Sequence, residues 1–253
     1  MYAAWFTHRG GRPENQDAVC VGGTVWQQDM DDVRQARLQH ADGARFFVVA
    51  DGVGGHAGGA VAAATILQVF AAMEGAPVAE PLATLSGILL DAQSRLLTVA
   101  AATPALRYMG AALAGIVDMS EEGDALILFS CGDVRIYGVH SECTELLTMD
   151  HSLARKAVTN ENFAGTKYAL YSENLLTAMI SANQHYRHRH DAVVVPKGRY
   201  ERFIICTDGV WRQLSSSTAT APFCITNQFT AAQRTKDAVL LNADNVGFLF
   251  VDF

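Results

Sequence analysis

Residues 45–59 read RFFVVADGVGGHAGG, an apolar run that passes through an aspartate into a glycine-rich segment. The apolar run over 45–50 predicts a short buried strand, because it is rich in aromatic and β-branched side chains. Asp51 follows it directly, and the glycines after it are too dense for a helix or strand, so 51–59 is predicted to be a loop. Helical apolar spacing then extends over 60–73. The strand fixes the carboxylate, and the glycines let backbone and cations approach it closely.

The same arrangement of a strand-like segment beside an aspartate recurs along the chain. RFIIC leads through a threonine into Asp208-Gly209, and LFSCG leads into Asp133. Asp244-Asn245 precedes the last predicted strand, and Asp17 begins the strand predicted over 17–26. Each Asp-Gly pair alone is more typical of a turn. Together, carboxylates and backbone carbonyls are hard oxygen ligands that suit Mg²⁺ or Mn²⁺ better than zinc.

The order of the predicted elements indicates the fold class. Strands come in close succession and helices come in separate blocks, which favours an antiparallel α+β domain over a parallel doubly wound one. No repeat or linker is visible, so residues 1–253 are predicted to form one domain. The other predicted strands are 108–119, 125–131, 134–139 and 246–253, and the other predicted helices are 82–101 and 230–242.

The composition excludes several classes of partner. A formal net charge of −7 argues against nucleic acid, because a phosphate backbone needs a basic face. The apolar segment 59–73 is too short and too interrupted to span a bilayer, and residues 1–6 lack the features of a signal peptide. Five widely spaced cysteines without a CxxC pattern suit reduced thiols. We therefore expect a cytoplasmic protein with no membrane or nucleic-acid partner.

Five motifs resemble, in order and in local sequence, those of the PP2C (PPM) family of metal-dependent protein serine/threonine phosphatases, in its bacterial form. They are Arg12-Pro-Glu-Asn-Gln-Asp17, Asp51-Gly-Val-Gly-Gly-His56, Gly132-Asp-Val-Arg135, Asp208-Gly209 and Asp244-Asn245. The resemblance covers nearly the whole chain, and it extends to Met109-Gly110, 147–152 and 174–177. It implies a sandwich of two antiparallel β-sheets flanked by α-helices (α/β/β/α), with a metal cleft between the sheets.

The resemblance also implies a set of metal ligands. Asp51 would bridge two divalent cations, Mn²⁺ or Mg²⁺, and the carbonyl of Gly52 would bind one of them. Asp208 and Asp244 would complete the coordination of the other cation. Asp133, together with Asp208, would bind a third and weaker one.

Two further residues receive catalytic roles from the same resemblance. Arg12 would grip the substrate phosphate with its planar fork of donors, and Asp17 would orient a metal-bound water. The implied reaction is hydrolysis of phosphoserine and phosphothreonine by a hydroxide that bridges the two cations. No phosphoenzyme is needed, so no nucleophilic cysteine is expected. Phosphorylated proteins are the implied substrates, and a serine/threonine kinase and its targets are the expected partners.

Departures from the family pattern keep an alternative open. Gln16 stands where many members have glutamate, and Val53 replaces a histidine, so that position supplies no general acid. His56 is nearby, with a structural role favoured over proton transfer. Ala111-Ala112 replace two threonines, and 153–171 matches the family's flap poorly. The alternative is a PP2C-fold pseudophosphatase or phosphoprotein-binding regulatory module with little turnover. A phosphatase of small metabolites, or a regulator of a partner switch, is a third hypothesis.

Other residues have a structural interpretation beside a functional one. Buried apolar filler is favoured over a soft-metal site for Cys131 and Cys206. The basic run 185–190 is interpreted as a solvated hairpin tip rather than a phosphopeptide dock. Trp211 is predicted either to line the cleft or to pack where a short helix begins. Arg135 is predicted to support the Asp133 loop through an ion pair.

Overall fold

The computed structural model describes residues 1–38, 43–54, 57–118, 125–141, 143–153, 155, 175–183, 189–214, 221–241 and 243–253. The strands in this part of the chain are β1 (Tyr2–His8), β2 (Asp17–Val21), β3 (Thr24–Trp26), β4 (Arg34–Arg37), β5 (Arg45–Val53), β6 (Gly110–Asp118), β7 (Ala125–Cys131), β8 (Arg135–His140), β9 (Cys143–Leu146), β10 (Ile180–Ser181), β11 (Asp191–Pro196), β12 (Arg202–Cys206) and β13 (Val246–Asp252). The α-helices are α1 (Ala57–Ala72), α2 (Pro81–Ala102), α3 (Asp208–Trp211) and α4 (Gln228–Val239).

The strands form two sheets in which every neighbouring pair is antiparallel. The first sheet has the order β4-β1-β13-β12-β8-β9, and the second has the order β11-β7-β6-β5-β2-β3, with β10 paired to β6. Phe47 of the second sheet and Phe203 of the first both meet the ring of Phe253 edge-on, with centroids 5.9 and 5.8 Å apart. The two sheets therefore pack face to face around a shared aromatic core.

Helices cover the outer faces of both sheets. The α1 helix buries Ile66, Leu67 and Phe70 against the second sheet, where the Phe70 ring stacks on Phe129 with centroids 5.5 Å apart. The α2 helix packs beside α1. On the other side, α4 contacts β1 and β13 of the first sheet. Full burial of one such side chain contributes about 1.5–3 kcal/mol. The α/β/β/α sandwich implied by the resemblance is confirmed.

The predicted loop over 51–59 is wrong at both ends. Strand β5 continues to Val53 because Asp51, Gly52 and Val53 keep partners on β6. Helix α1 begins at Ala57 instead of residue 60. The strand predicted over 17–26 is divided into the β2–β3 hairpin by Gly22 and Gly23, whose φ angles are 56° and 71°.

None of the helices in the described ranges is both long enough and apolar enough to cross a membrane.

Candidate metal centre

The end of β5 places Asp51 and Gly52 in the middle of the second sheet. Asp51 pairs with Asp17 on β2 and with Ala112 on β6. A side chain at Gly52 would collide with the backbone carbonyl of Gly59 on α1 and approach the carbonyl oxygen of Gln16 to 2.7 Å. Glycine is therefore required for this close approach of strand and helix, which leaves the peptide of Gly52 beside the carboxylate of Asp51.

Asp17 is buried and linked to the opposite sheet. Its Oδ2 accepts a hydrogen bond from the hydroxyl of Thr207 at 2.7 Å, and that hydroxyl also accepts the amide of Gly247 at 3.1 Å. Asn15 caps the same residue, because its Oδ1 accepts the Asp17 amide at 3.1 Å. These bonds fix Asp17 where β2, β12 and β13 meet.

Asp208 begins the short helix α3, and only Thr207 separates it from the end of β12. Arg212 lies one turn later, and its Nε is 3.1 Å from the Asp208 carboxylate. The spacing of four residues places both side chains on one face of the helix. This arginine also lines the cavity described below, and it is not among the site residues predicted from the sequence. The signal for it was available, because an arginine four residues after a site aspartate has this geometry in any helix.

Asp133 follows β7 at the Gly132 turn, and a small network supports it. The indole Nε1 of Trp211 donates to the Asp133 backbone carbonyl at 2.9 Å. The guanidinium of Arg135 lies 3.5 Å from the centre of the Trp211 ring and forms two hydrogen bonds with Asp150, at 2.9 and 2.6 Å. The expected ion pair of Arg135 is thus formed with Asp150, and Trp211 is a packed residue that also holds the Asp133 loop.

Asp244 and Asn245 bring the Arg12 segment to the start of β13. The Arg12 guanidinium donates to Asp244 Oδ2 at 2.9 Å, and both side chains are partly exposed. The side chain of Asn245 donates to the carbonyls of Arg9 and Glu14 at 3.0 and 2.9 Å and accepts the amide of Gln16 at 3.2 Å. Asn245 therefore holds residues 9–16, which include Arg12, beside Asp244.

These elements surround one cavity with a volume of about 340 Å³. Asp17 lies behind this cavity instead of lining it. Within the described ranges, no three Asp, Glu, His or Cys side chains already meet as a complete ligand cluster. The lining residues are Arg12, Gln16, Asp51, Gly52, Val53, Gly54, Asp133, Leu176, Asp208, Arg212, Asp244 and Asn245.

The electrostatics of the cavity favour a cation. Burial, and repulsion from the other carboxylates, raise the pKa values of Asp51 and Asp17 well above the usual range. Burial and the neighbouring Asp208 raise the pKa of Asp133 to about 7. Burial also raises the pKa of Asp208. Divalent cations would offset this repulsion, and spaced oxygen donors suit Mg²⁺ or Mn²⁺, which keep several water ligands. The residues present therefore fit the metals that the sequence predicts.

The two cysteines are buried in the core, whereas the two departures from the family pattern lie at the cavity. Cys131 and Cys206 are buried, and burial raises the pKa of Cys131 to about 12, which agrees with apolar filler. Gln16 and Val53, the two departures from the family pattern, both line the cavity. His56, most of 153–171 and most of the basic run 185–190 lie outside the described residues.

Comparisons with known proteins identify the family. A profile of the Protein phosphatase 2C family matches residues 27–243, and the chain belongs to this family. The serine/threonine phosphatase PstP/Ppp of Mycobacterium tuberculosis superimposes with a TM-score of 0.79 at 23% identity, over 100% of this chain and 98% of that one. The serine/threonine phosphatase Stp1 of Staphylococcus aureus gives 0.78 at 19% identity, over 99% and 94%.

A further solved structure in the comparison contains metal. It is the catalytic domain of PstP in complex with two manganese ions, with a TM-score of 0.76 at 23% identity, over 100% of this chain and 99% of that one. At these identities the structural matches establish the fold. No curated protein matches the chain significantly.

Proposed function

We propose that this chain is a metal-dependent protein serine/threonine phosphatase that works with two divalent cations, Mn²⁺ or Mg²⁺, as one catalytic domain over residues 1–253. The observation that carries the proposal is the convergence of Asp51, Asp133, Asp208 and Asp244 on one cavity that Arg12 also lines. Membership of the Protein phosphatase 2C family supports it. So does the structural similarity to a phosphatase domain in complex with manganese.

The carboxylates would hold the cations from opposite sides of the cavity. Asp51 and the carbonyl of Gly52 come from the second sheet, whereas Asp208 and Asp244 follow or precede strands of the first sheet. Asp133 would join Asp208 at a third, weaker site. When bound, such a cation pair activates water as a nucleophile and neutralises charge on a phosphoryl group.

Residues around the carboxylates would bind and orient the substrate. Arg12 would exchange its hydrogen bond with Asp244 for two bonds to phosphate oxygens, a geometry that suits a guanidinium. Asn245 would keep Arg12 in place through its bonds to the carbonyls of Arg9 and Glu14. Asp17, which Thr207 holds behind the cavity, would orient a metal-bound water.

The proposal is tested by metal-dependent hydrolysis of p-nitrophenyl phosphate and of phosphoserine and phosphothreonine peptides. Wild-type protein should turn over with Mn²⁺ or Mg²⁺, stop in EDTA and recover when metal is restored. Asp208→Asn should lose most of the activity, because a neutral amide is a weaker ligand for a hard cation. Activity that survives both EDTA and Asp208→Asn would overturn the proposal.

A pseudophosphatase or phosphoprotein-binding module is the alternative from the sequence, and the comparisons give no support for it. Titration calorimetry separates the two hypotheses. Two Mn²⁺ sites per chain agree with the phosphatase, whereas no Mn²⁺ binding at millimolar concentration would favour the alternative. We also propose that the physiological substrates are phosphorylated proteins, such as a serine/threonine kinase or its targets. Only the membership of the family supports this part of the proposal.

A further inference from the structure

A buried histidine behind the Asp133 turn makes contacts that the metal centre does not explain. His151 is 8% exposed and lies beside Gly132. The Gly132 amide donates to Nδ1 of His151 at 3.1 Å, and the His151 amide donates to the Gly132 carbonyl at 2.7 Å. One residue thus satisfies both backbone polar groups of the glycine that directly precedes Asp133.

The second ring nitrogen of His151 has a different partner. Nε2 lies 3.0 Å from Oδ2 of Asp191, the first residue of β11. Because Nδ1 accepts the Gly132 amide, this nitrogen carries no hydrogen, and the N–H at Nε2 donates a hydrogen bond to Asp191. The carboxylate therefore selects the tautomer that can accept from Gly132. Both ring nitrogens of this buried histidine are thereby hydrogen-bonded, so the orientation of the ring is fixed.

The backbone at this turn needs an external constraint. Gly132 has a φ of 111°, a conformation that L side chains rarely adopt, and a side chain at this position would collide with Ala112. Glycine adopts many backbone conformations, so the direction in which the chain enters Asp133 depends on contacts that hold the turn. Trp211 holds the Asp133 carbonyl on one side, and His151 holds the preceding amide on the other.

The same histidine also joins the turn to another wall of the cavity. Its carbonyl accepts the amide of Thr177 at 2.7 Å, and the next residue, Ser152, forms a β-bridge with Leu176. Leu176 lines the cavity with Asp133. His151 therefore connects two parts of the cavity wall.

We propose that His151, oriented by Asp191, is a positioning residue that fixes the Gly132–Asp133 turn and thereby the carboxylate of the third, weaker cation site. The positioning of the turn is a property of the protein alone. Its consequence for metal binding rests on the function proposed above for Asp133. The two parts are tested separately.

The first test uses metal-free protein and measures amide hydrogen exchange at Gly132 by NMR. In His151→Asn the side-chain oxygen can replace Nδ1 as acceptor, so the protection of Gly132 should be largely kept. In His151→Gln the longer side chain carries its polar group past that position, so exchange should speed up at least about tenfold. The ¹⁵N shifts of the wild-type ring should report a proton on Nε2. A wild-type proton on Nδ1, or unchanged Gly132 protection in His151→Gln, would overturn the proposal.

A second variant tests the same hydrogen-bond chain with an exposed substitution that should not disturb the fold. The side chain of Asp191 is 47% exposed, so Asp191→Ala should leave the core intact while the ring loses its orienting partner. Gly132 exchange should again speed up. The matched control is Asp237→Ala, which removes an exposed carboxylate from α4 and should leave Gly132 exchange unchanged. Equal exchange in Asp191→Ala and Asp237→Ala would contradict the role of Asp191.

The third test titrates Mn²⁺ by calorimetry. His151→Gln should weaken the weakest site about 10- to 100-fold, the usual effect of losing a partner of a metal ligand, and leave the tighter sites unchanged. His151→Asn should restore most of the affinity. If Asp133→Asn leaves every Mn²⁺ site unchanged, the proposed role of Asp133 fails, while Gly132 exchange still decides the positioning role of His151. If Asp133→Asn removes the weak site and His151→Gln does not weaken it, the present inference fails.

Discussion

Asp17 and Asp51 stand directly opposite each other in the β2–β5 ladder. Directly opposed residues of an antiparallel pair have Cβ atoms about 4.5–5.5 Å apart, and like charges there destabilise the sheet. Burial, and repulsion from Asp17, raise the pKa of Asp51 well above the usual range, and burial raises the pKa of Asp17 in the same direction. The pair lowers the stability of the metal-free fold, and such a cost is typical of a functional site.

The substitution Asp51→Asn should separate stability from function. Metal-free protein should melt about 2–4 °C higher, which corresponds to ~1 kcal/mol for one removed like-charge pair. Added Mn²⁺ should no longer raise the melting temperature, and turnover should fall by more than about a hundredfold, because an amide is a poor ligand for a hard cation. Scanning calorimetry with and without Mn²⁺, beside the phosphatase assay, measures all three. The control is Asp91→Asn on α2, which replaces an exposed carboxylate of an (i, i+4) pair. Wild-type turnover in Asp51→Asn would contradict the assigned role.

The pH dependence of stability should reverse when metal is bound. A buried carboxyl group whose folded pKa is raised binds more protons in the native state than in the unfolded state between the two pKa values, so the free energy of unfolding falls as pH rises. For Asp133 this window runs from about 3.8 to about 7. EDTA-treated protein should therefore melt at a lower temperature at about pH 7.5 than at about pH 5.

Protein saturated with Mn²⁺ should show the opposite trend, because protons compete with the cation for the carboxylates. In the metal-free protein, Asp133→Asn should make the melting temperature fall less steeply as pH rises towards about 7. Melting curves over this range, with and without EDTA, measure both trends. A metal-free melting temperature that rises steadily from pH 5 to 7.5 would count against the raised pKa values.

The sequence predicts those parts of the site that are local. A strand that ends in an aspartate beside a glycine is visible in a few residues, and this pattern located Asp51 and Asp208. Bonds between distant segments have no such signal. Thr207 reaches Asp17 across 190 residues, and Asn245 reaches the carbonyl of Glu14 across 231. Their partners are chosen by the packing of the two sheets.

The same distinction holds for the fold. Strands with strong apolar runs were predicted, whereas β1, β4, β9, β10 and β11 were not. Strands β4, β9 and β11 lie at sheet edges and have mostly exposed or mixed residues, so their patterns are weak. Strand β1 owes its position to a full register with β13 at the far end of the chain. The end of β5 was missed because pairing with β6 overrides the low strand propensity of Asp51-Gly52.

Replacement of Arg12 should weaken substrate binding more than it weakens metal binding. Arg12→Ala should lower kcat/KM for phosphopeptides about 10- to 100-fold, because a hydrogen bond to a charged group contributes about 1.5–3 kcal/mol. Arg12→Lys should recover part of this, since it keeps the charge and loses the fork. Arg9→Ala is the matched control, because Arg9 lies in the same segment and pairs with the exposed Asp29. Steady-state kinetics beside Mn²⁺ titration measure the effect, and equal losses in Arg9→Ala and Arg12→Ala would contradict a phosphate contact for Arg12.

An added methyl group should have opposite effects on stability at two glycines. Gly52 lies in the contact between strand β5 and helix α1, and Gly58 lies on the helix. Gly52→Ala places a Cβ against the Gly59 carbonyl and 2.7 Å from the Gln16 carbonyl, both rigid backbone groups. The strand or helix must move, so we expect loss of Mn²⁺ binding and a melting temperature lower by several degrees. Gly58→Ala meets only side-chain carbons at 3.5 and 3.8 Å, and should stabilise α1 by about 0.4–1 kcal/mol. Calorimetry and Mn²⁺ titration of the two variants give the comparison. A Gly52→Ala protein that binds Mn²⁺ as well as Gly58→Ala does would show that the close packing of strand and helix is not needed for the metal centre.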